Sequence, residues 1–564
     1  MHFLKKWGSL IILGLALSII VIDTTLLNVS LATIIKDLHT DIQSLQWVIT
    51  AYALTLAALT ITGGRLGDFF GRKKMFVLGA IIFAIGSFIA SISGSVGTLI
   101  WGEAIVEGIG AALMMPATAS LLVANFQGRD RAIAFGVWGG LAGASSAIGP
   151  ILGGFLTEHY SWRWGFRINV VVAAILVIGS IIVHESRSTD EKPNLDFVGV
   201  LLSATGLLSI IYGIIEASTY GWWSAKQTFV LLGSDINLFG LSIVPFIILL
   251  GICIIAEFLL WEDHVERSGK TPLVSLHILQ NKVFTSGVIT TAVITLGQVG
   301  MTFALPVFLQ GVLKFSPFQT GISLLPLSIM LLIMAPLSAV LSSKVLPKYM
   351  ILTGLVLNVI GIFAIRAGLS VNATAWNLTP GLAIFGAGMG MVMAQISNLT
   401  LSAVPVSQAG EASGINNTMR QVGSSLGSAI IGAVLLSALT TNITTGINGS
   451  TIIPQAVKSQ LVDAVSTQTS NVEFGGGAKL NSSIPQPIVK EIETISKQAT
   501  VDAAKTSLLY AAFFALLGFI AALFLPTSKK TSAGAEGKNN ITEEQGDKQV
   551  PFAPSEEIIL PAGH

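Results

Sequence analysis

Three acidic residues lie inside long apolar runs of this chain and could bind and release protons. Asp23 lies in the first run, and Glu103 and Glu107 lie in the fourth. The two glutamates are four residues apart, so they would share one face of a helix. Charged side chains inside a membrane span are rare, energetically expensive and usually functional. We predict that the three carboxylates carry protons; the alternative is a structural hydrogen bond or an ion pair with Arg167.

The composition predicts a membrane protein. Of the 564 residues, 52% are hydrophobic and only 11% are charged, and the mean hydropathy is +0.76. Soluble domains have about 25% charged residues, whereas a transmembrane helix needs about 20 apolar residues. The net charge of +1 gives no reason to expect a nucleic-acid partner. Scattered histidines and the one cysteine, Cys253, predict neither a metal site nor an internal disulfide.

The apolar runs predict fourteen helical spans. Cations concentrate in the turns after even-numbered spans, for example at Arg72–Lys74 and Arg129–Arg131. Basic turns stay in the cytoplasm, and an even count places both termini on one side, so we expect both termini to be cytoplasmic. The predicted spans are 8–28, 47–65, 75–93, 97–124, 132–155, 167–184, 197–217, 235–260, 283–311, 319–342, 349–369, 377–404, 412–439 and 505–526.

A degenerate repeat of one charged turn divides these spans into two halves. The turn after the tenth span, Ser342–Lys348, resembles the turn after the second, Gly64–Lys74, as expected for a transporter built from repeats. An inserted helix pair, spans 7 and 8, accounts for the offset of eight. The predicted divisions are an N-terminal six-helix bundle at 1–190, the inserted pair at 191–265, a C-terminal six-helix bundle at 266–530 with an extracytoplasmic loop at 440–504, and a disordered cytoplasmic tail at 531–564.

The first of these two turns reads GRLGDFFGRKK, from Gly64 to Lys74. Its five charges exclude it from hydrocarbon, and its glycines permit a tight turn and a close approach of helices. Asp68 is the kind of anion that stabilises the positive N-terminal end of a helix. A topology signal alone is the simpler interpretation, but such a signal would not require this aspartate.

A second glycine-rich motif, GASSAIGPILGG, lies in the fifth span. Pro150 follows Gly149 and removes one helical hydrogen bond, so it should bend the helix. Gly143, Gly153 and Gly154 let a neighbouring helix approach closely. Ordinary small-residue packing is the alternative interpretation.

Taken together, these motifs resemble the major facilitator superfamily, and within it the fourteen-helix drug:proton antiporters, over about residues 5–526. The segment Asp23–Val29 is similar to the acidic signature of that family's first helix. Two further segments support the resemblance to the family: Ser161–Trp164, before span 6, and Gly410–Gly427, in span 13. The resemblance implies an all-α fold of two six-helix bundles plus an inserted pair. It also implies export of amphipathic or cationic drugs across the cytoplasmic membrane by alternating access, in exchange for protons.

The resemblance assigns roles to the motifs. Gly64, Asp68, Gly71 and Arg72 would form a cytoplasmic latch, with Asp68 at the start of span 13 near Gly410–Ser413. The motif of span 5 would form a dry seam that prevents proton leak. Asp23, Glu103 and Glu107 would line the cavity of the N-terminal half, where protons and cationic substrates compete for them.

The chain departs from the family in span 4. Ala104 stands where the family usually has an arginine, and Glu107 stands where it has a glutamine. A proton-relay role of that arginine therefore cannot be carried over. Further polar residues expected in or near the cavity are Asn28, Arg167, Gln298, Asn416, Asn417 and Arg420.

No motif predicts covalent catalysis, and the P-loop that would indicate ATP binding is missing from the sequence. We therefore expect no enzyme activity, no catalytic residue, no metal and no cofactor, with the proton gradient as energy source. The expected partners are the lipid bilayer, small amphipathic substrates and protons, and the protein should function as a monomer.

Three other functions stay open at this stage. The same fold could export a lipid or an endogenous metabolite, with the segment 440–504 as a route to an acceptor outside. That segment could also be a solvated linker or a small cap over the outer mouth.

The second alternative function is a non-transporting scaffold, which would need neither the latch nor the motif of span 5. The third is an uptake symporter, against which the motif of span 5 weighs.

Overall fold

The computed structural model describes residues 2–40, 42–186, 196–225, 227–231, 234–236, 240–270, 272–342, 344–455, 458–459, 461–462 and 486–526. These residues form fourteen helices of 17 residues or more. In chain order they are α1 His2–Asp37, α2 Ile42–Phe70, α3 Arg72–Ser91, α4 Val96–Asn125, α5 Gly128–His159, α6 Arg163–Gly179, α7 Phe197–Tyr220, α8 Val244–Arg267, α9 Lys282–Gly311, α10 Leu325–Leu341, α11 Pro347–Gly368, α12 Ala375–Leu401, α13 Ala409–Gly449 and α14 Gln486–Leu523.

Eleven helices in the described part of the chain are long and apolar enough to cross a membrane. The other three are α2, α9 and α10, of which α10 is apolar but 17 residues long. The multi-pass helical architecture is therefore observed, whereas the count of fourteen transmembrane spans stays a prediction. A short antiparallel hairpin, β1 Phe229–Leu231 with β2 Ser234–Ile236, lies between α7 and α8 and was not predicted.

Small residues set the distances between neighbouring helices. α3 lies so close to α4 that a Cβ added to Gly79 would come within 2.8 Å of the carbonyl oxygen of Gly110. In the first half of the chain α1 packs on α5, α2 on α4, and α3 on α6. In the second half α9 packs on α13 and α14, and α12 packs on α10 and α11.

The two groups of helices meet along two seams, α2 with α13 and α5 with α10. The inserted helices α7 and α8 pack on each other, and α7 also contacts α2 and α13. The inserted pair therefore lies beside the first seam. We call the end of the bundle where Asp68 and Gly410 lie the latch end.

The helices α13 and α14 extend far beyond the predicted spans. With 41 and 38 residues they are roughly 60 Å long, about twice the thickness of the hydrocarbon core. Their ends away from the latch pack on each other through an apolar cluster of the described residues Leu439, Ile443, Ile447, Ile488 and Ala499.

The expectation of a solvated linker is therefore wrong for 440–449 and 486–504, which continue the two helices, whereas a cap over the outer mouth stays a prediction. The reason is the apolar side chains at 439, 443 and 447, whose spacing of four makes one stripe on α13. Residues 463–485 of that segment and the expected tail at 531–564 lie outside the described residues.

Candidate transport and coupling sites

Two of the predicted acids meet at a single amide inside the N-terminal half. Nδ2 of Asn169, in α6, donates to Oδ1 of Asp23 at 2.6 Å and to Oε1 of Glu107 at 3.3 Å. All three side chains are buried, and Glu107 is fully so. Glu103, two per cent exposed, interacts electrostatically with Asp23 and Glu107. We call these four residues the carboxylate cluster.

The cluster has unused hydrogen-bonding capacity. Oδ2 of Asp23, Oε2 of Glu103 and Oε2 of Glu107 are buried and have no hydrogen-bond partner within the described structure. The hydroxyl group of Tyr52, on α2, is equally buried and unpartnered, and Tyr52 interacts electrostatically with the acids. Such atoms are costly unless they are protonated or paired. The arrangement can therefore hold protons on its buried carboxylates.

A π-helical stretch, Ile100–Glu107, carries both glutamates of the cluster. The N–H group of Gly108 donates to the carbonyl of Glu103, five residues earlier, which is the hydrogen bond of a π-helix. Single π turns inside α-helices occur frequently at functional sites. Asn169 was missed by the sequence reasoning. The available signal was an amide inside an apolar run, which is the criterion that selected the acids.

Arg167 does not join the cluster. Its side chain is exposed, and the guanidinium carbon lies 5.1 Å from the centre of the Trp164 ring. Arg167 and Asn169 are two residues apart, so they point about 200° away from each other around α6. The expectation that Arg167 is a cavity residue or the partner of the acids is therefore wrong, and Asn169 occupies that place.

A central cavity of about 200 Å³ lies between the two halves. It is lined by helices of both halves, and Arg420 of α13 is the one charged side chain among the lining residues that the structure describes. The lining residues are Leu17, Val21, Gly139, Ala142, Gly143, Ser146, Thr295, Leu331, Met389, Met393, Arg420, Gln421 and Ser424.

The acids do not line this cavity, contrary to the prediction. α1 presents Leu17 and Val21 to the cavity. Asp23 follows Val21 by two residues and thus points about 200° away around the helix, towards α4 and α6. Direct competition between protons and a substrate for Asp23 therefore has no support in this arrangement.

Three of the other expected cavity residues, Gln298, Asn416 and Asn417, are buried but do not belong to the described lining. Gln298 and Asn416 are each five per cent exposed. Asn417 donates to the hydroxyl oxygen of Ser413 at 3.3 Å, one turn earlier in the same helix. Asn28 belongs to α1, and its side chain lies outside the described part of the chain.

At the latch end, Asp68 caps the first turn of α13. The backbone N–H groups of Gly410 and Glu411 donate to its two carboxylate oxygens, at 3.1 and 2.9 Å. The helices are so close that a Cβ on Gly64 would lie 2.4 Å from the carbonyl oxygen of Gly410. The expected contact of Asp68 with the start of span 13 is present.

Arg72 completes this latch. Its Nε and Nη2 donate to Oδ1 of Asp68 at 3.0 and 2.7 Å, and both side chains are one per cent exposed. It also donates to the hydroxyl oxygen of Ser186 and to the carbonyl of Val406, the second of which belongs to the C-terminal half. Gly71 has φ 108°, a conformation that glycine adopts without strain.

A second set of contacts beside the latch was not predicted. Arg65 donates to Oε2 of Glu411 at 3.4 Å, and the N–H group of Ser275 donates to Oε1 of the same carboxylate at 2.5 Å. Next to Ser275, the N–H group of Val274 donates to Glu262 of α8 at 3.3 Å. The segment after the inserted pair is therefore tied to the first turn of α13.

The glycines of the α5 motif make close contacts on two sides. A Cβ on Gly149 would lie 1.8 Å from the hydroxyl oxygen of Thr25, and Gly153 lies equally against α1. On the other side a Cβ on Gly143 would lie 2.2 Å from Leu331 of α10. Of the remaining motif residues, Pro150 lies inside α5 and Gly154 lies next to Phe318.

Fold and sites together define a polytopic helical membrane protein in which two bundles enclose a central cavity and latch together at one end. The profile of the Major Facilitator Superfamily matches residues 13–428. The chain belongs to the Major Facilitator Superfamily. Members of this family are transporters, and the protein is not an enzyme.

Related proteins agree with this assignment. A probable actinorhodin transporter of Streptomyces coelicolor is 30% identical over 455 residues, which cover 79% of this chain and 75% of the relative. The multidrug efflux pump LfrA of Mycolicibacterium smegmatis is 28% identical, with 78% and 82% covered. The solved structure of the proton:xylose symporter XylE superposes with a TM-score of 0.55, covering 93% of this chain and 97% of that one. At 12% identity this last likeness shows the fold alone.

Proposed function

We propose that the protein is a proton-coupled exporter of amphipathic drugs or other toxic compounds across the cytoplasmic membrane. It would work as an antiporter by alternating access, as a monomer, with the proton gradient as its energy source. The functions of the relatives, probable actinorhodin transport and multidrug efflux, support export of such compounds. Export of a lipid or an endogenous metabolite by the same fold is the alternative.

The carboxylate cluster carries the proposal of proton coupling. Asp23 and Glu107 share one amide donor and each retains an unpartnered buried oxygen. Two buried carboxylates cannot both be ionised without strong repulsion, so gain and loss of a proton would change how strongly each of them accepts from Asn169. Because Asp23, Glu107 and Asn169 belong to α1, α4 and α6, each protonation step would change the packing of three helices.

Coupling to the substrate would then be indirect and would run through α1. The same helix contributes Asp23 to the cluster and Leu17 and Val21 to the cavity. A shift or rotation of α1 that follows protonation would change the cavity wall two residues away. This replaces the simpler idea of competition for a single acid.

The orientation that we propose places the latch end in the cytoplasm. Lys73 and Lys74 follow Arg72 directly, and Arg129 and Arg131 begin α5 at the same end. Short basic segments of this kind stay on the cytoplasmic side. In that orientation both termini are cytoplasmic, and the latched structure corresponds to a transporter that is shut towards the cytoplasm.

The test is efflux from membrane vesicles with an imposed pH gradient, with ethidium and carboxyfluorescein as cationic and anionic probes. We expect Asp23→Asn to abolish gradient-driven efflux of every probe that the wild-type protein moves. Asp263→Asn is the matched control, because Asp263 is an exposed aspartate paired with Arg267 on α8. Gradient-driven efflux that persists in Asp23→Asn, at equal protein in the membrane, would refute the role of the cluster.

A further inference from the structure

The central cavity contains a cation that has no anionic partner in the part of the chain that the structure describes. The guanidinium group of Arg420 has one described polar contact, a weak donation from Nη2 to the sulfur of Met115 at 3.8 Å. Within the described residues no carboxylate lies within 4.0 Å of Arg420, whereas Arg65, Arg72 and Arg163 each pair with an acid. Arginine keeps its charge at any physiological pH.

The buried acids do not neutralise this cation. Asp23 and Glu107 direct their carboxylates at Asn169, and neither belongs to the cavity lining. An arginine in an apolar site needs a compensating anion, and its planar group binds carboxylates through two parallel hydrogen bonds. The unsatisfied charge therefore points into the space that a transported molecule would occupy.

The other lining residues indicate which kind of molecule the cavity can bind. Leu17, Val21 and Leu331 make apolar walls, and Met389 and Met393 add a soft surface that accepts flat rings well. The remaining polar lining residues are all uncharged: Ser146, Thr295, Gln421 and Ser424. At about 200 Å³ the cavity is smaller than the roughly 300 Å³ of a typical drug pocket, which favours a compact ligand.

We infer that the cavity recognises compact amphipathic anions, with a carboxylate or similar planar acidic group of the cargo bound by Arg420. This rests on the proposed function in one respect, namely that the cavity is where the cargo binds. It changes the expected class of cargo, because the sequence favoured cationic compounds and the described lining offers them no carboxylate.

The test is equilibrium binding to the purified full-length protein in nanodiscs, at neutral pH and without a gradient. Naphthaleneacetic acid and its amide share one ring system and differ in charge, so they isolate the contribution of the anion. We expect the acid to bind at least about tenfold more tightly than the amide, the ratio that a hydrogen bond to a charged group supports.

The variants assign this preference to one side chain. Arg420→Gln should weaken binding of the acid about tenfold and leave the amide unchanged, and Arg420→Lys should retain part of the preference. Arg366→Gln is the matched control, because Arg366 lies at the end of α11 and donates to the carbonyl of Lys505. Added chloride should not displace the acid, since a bare inorganic anion cannot use the apolar wall.

Three results would overturn the inference: equal binding of acid and amide, binding of neither at millimolar concentration, or an unchanged preference in Arg420→Gln. The first two are read on the wild-type protein, so they do not depend on the stability of a variant. Failure here would leave proton coupling intact, because the vesicle assay measures gradient-driven movement of any probe. Conversely, if Asp23→Asn still showed gradient-driven efflux in vesicles, the ratio of acid to amide affinity in nanodiscs would be unaffected.

Discussion

Replacing Asp68 with asparagine should open the latch end of the protein. Asparagine keeps the shape but can accept from only one of the N–H groups of Gly410 and Glu411, because these donate to different oxygens of Asp68 and an amide has one oxygen. It removes the negative charge that faces Arg72, whose side chain is one per cent exposed. Breaking a buried ion pair by removing one partner costs about 3–5 kcal/mol.

The structure indicates the lower end of that range. Arg72 keeps its hydrogen bond to Ser186 and its contact with the carbonyl of Val406, so part of its stabilisation survives. The loss of interaction with the positive end of α13 adds a few tenths of a kcal/mol to 1 kcal/mol. A loss of about 3 kcal/mol changes the ratio of latched to unlatched protein about 150-fold.

Spin-label distance measurements across the latch end can detect this shift. Cys253 is exposed and would first be replaced by serine. Labels at Lys74 and Lys344, both exposed, then report the separation of the N-terminal and C-terminal halves. The wild-type protein should show a dominant short distance, and Asp68→Asn should show a second, longer one.

The double variant Asp68→Asn/Arg72→Gln separates this explanation from general damage to the turn. Removing both charges also removes the uncompensated cation, so the double variant should be more latched than Asp68→Asn alone. If the two variants have the same distance distribution, or if the single variant resembles wild type, the ion pair does not hold the latch.

Two further predictions concern the ends of the bundle. Gly410→Ala should also favour the unlatched state in the same distance measurement, because its Cβ would lie 2.4 Å from Oδ1 of Asp68, whereas Gly94→Ala should have no effect since no atom lies within 4 Å; equal behaviour of the two would contradict the close packing. At the opposite end, hydrogen bonds from Arg163 and then Trp162 lower the pKa of Asp37 below its ordinary value of 3.8. The stabilisation is present above that value and is lost as the pH falls through the lower pKa of the folded protein. Because Asp37 is largely exposed, it amounts to at most about 1 kcal/mol, and it is measured as an acid-range difference in thermal unfolding between wild type and Asp37→Asn. The difference should be present near neutral pH and disappear in acid, and a difference that persists or grows as the pH falls below the lowered pKa of Asp37 would refute it.

Much of the architecture could be predicted from local composition. A span must bury about 20 consecutive apolar residues, so the runs around α3 and α11 were located to within three residues. The prediction was poorer where no bilayer constraint acts. α8 begins at Val244 and not at residue 235, because part of that stretch forms β2, and α13 continues ten residues past its predicted end.

The site was predictable in its parts but not in its arrangement. The motif Gly64–Lys74 implied a helix end as partner for Asp68, and the structure has that contact at Gly410 and Glu411. Asn169 carried the signal of a polar side chain inside an apolar run, but its partners could not be predicted, because which side chains it faces depends on the packing of α1, α4 and α6.

By itself the sequence determined that the chain is a polytopic helical membrane protein with acids in its spans and a charged, glycine-rich turn. Only the tertiary structure decided which side chains face each other. The rotation of each helix about its own axis depends on contacts with several neighbours at once, and two residues along a helix change the direction by about 200°. That rotation turns Arg167 outward and Asn169 inward, separates Asp23 from the cavity, and leaves Arg420 in it.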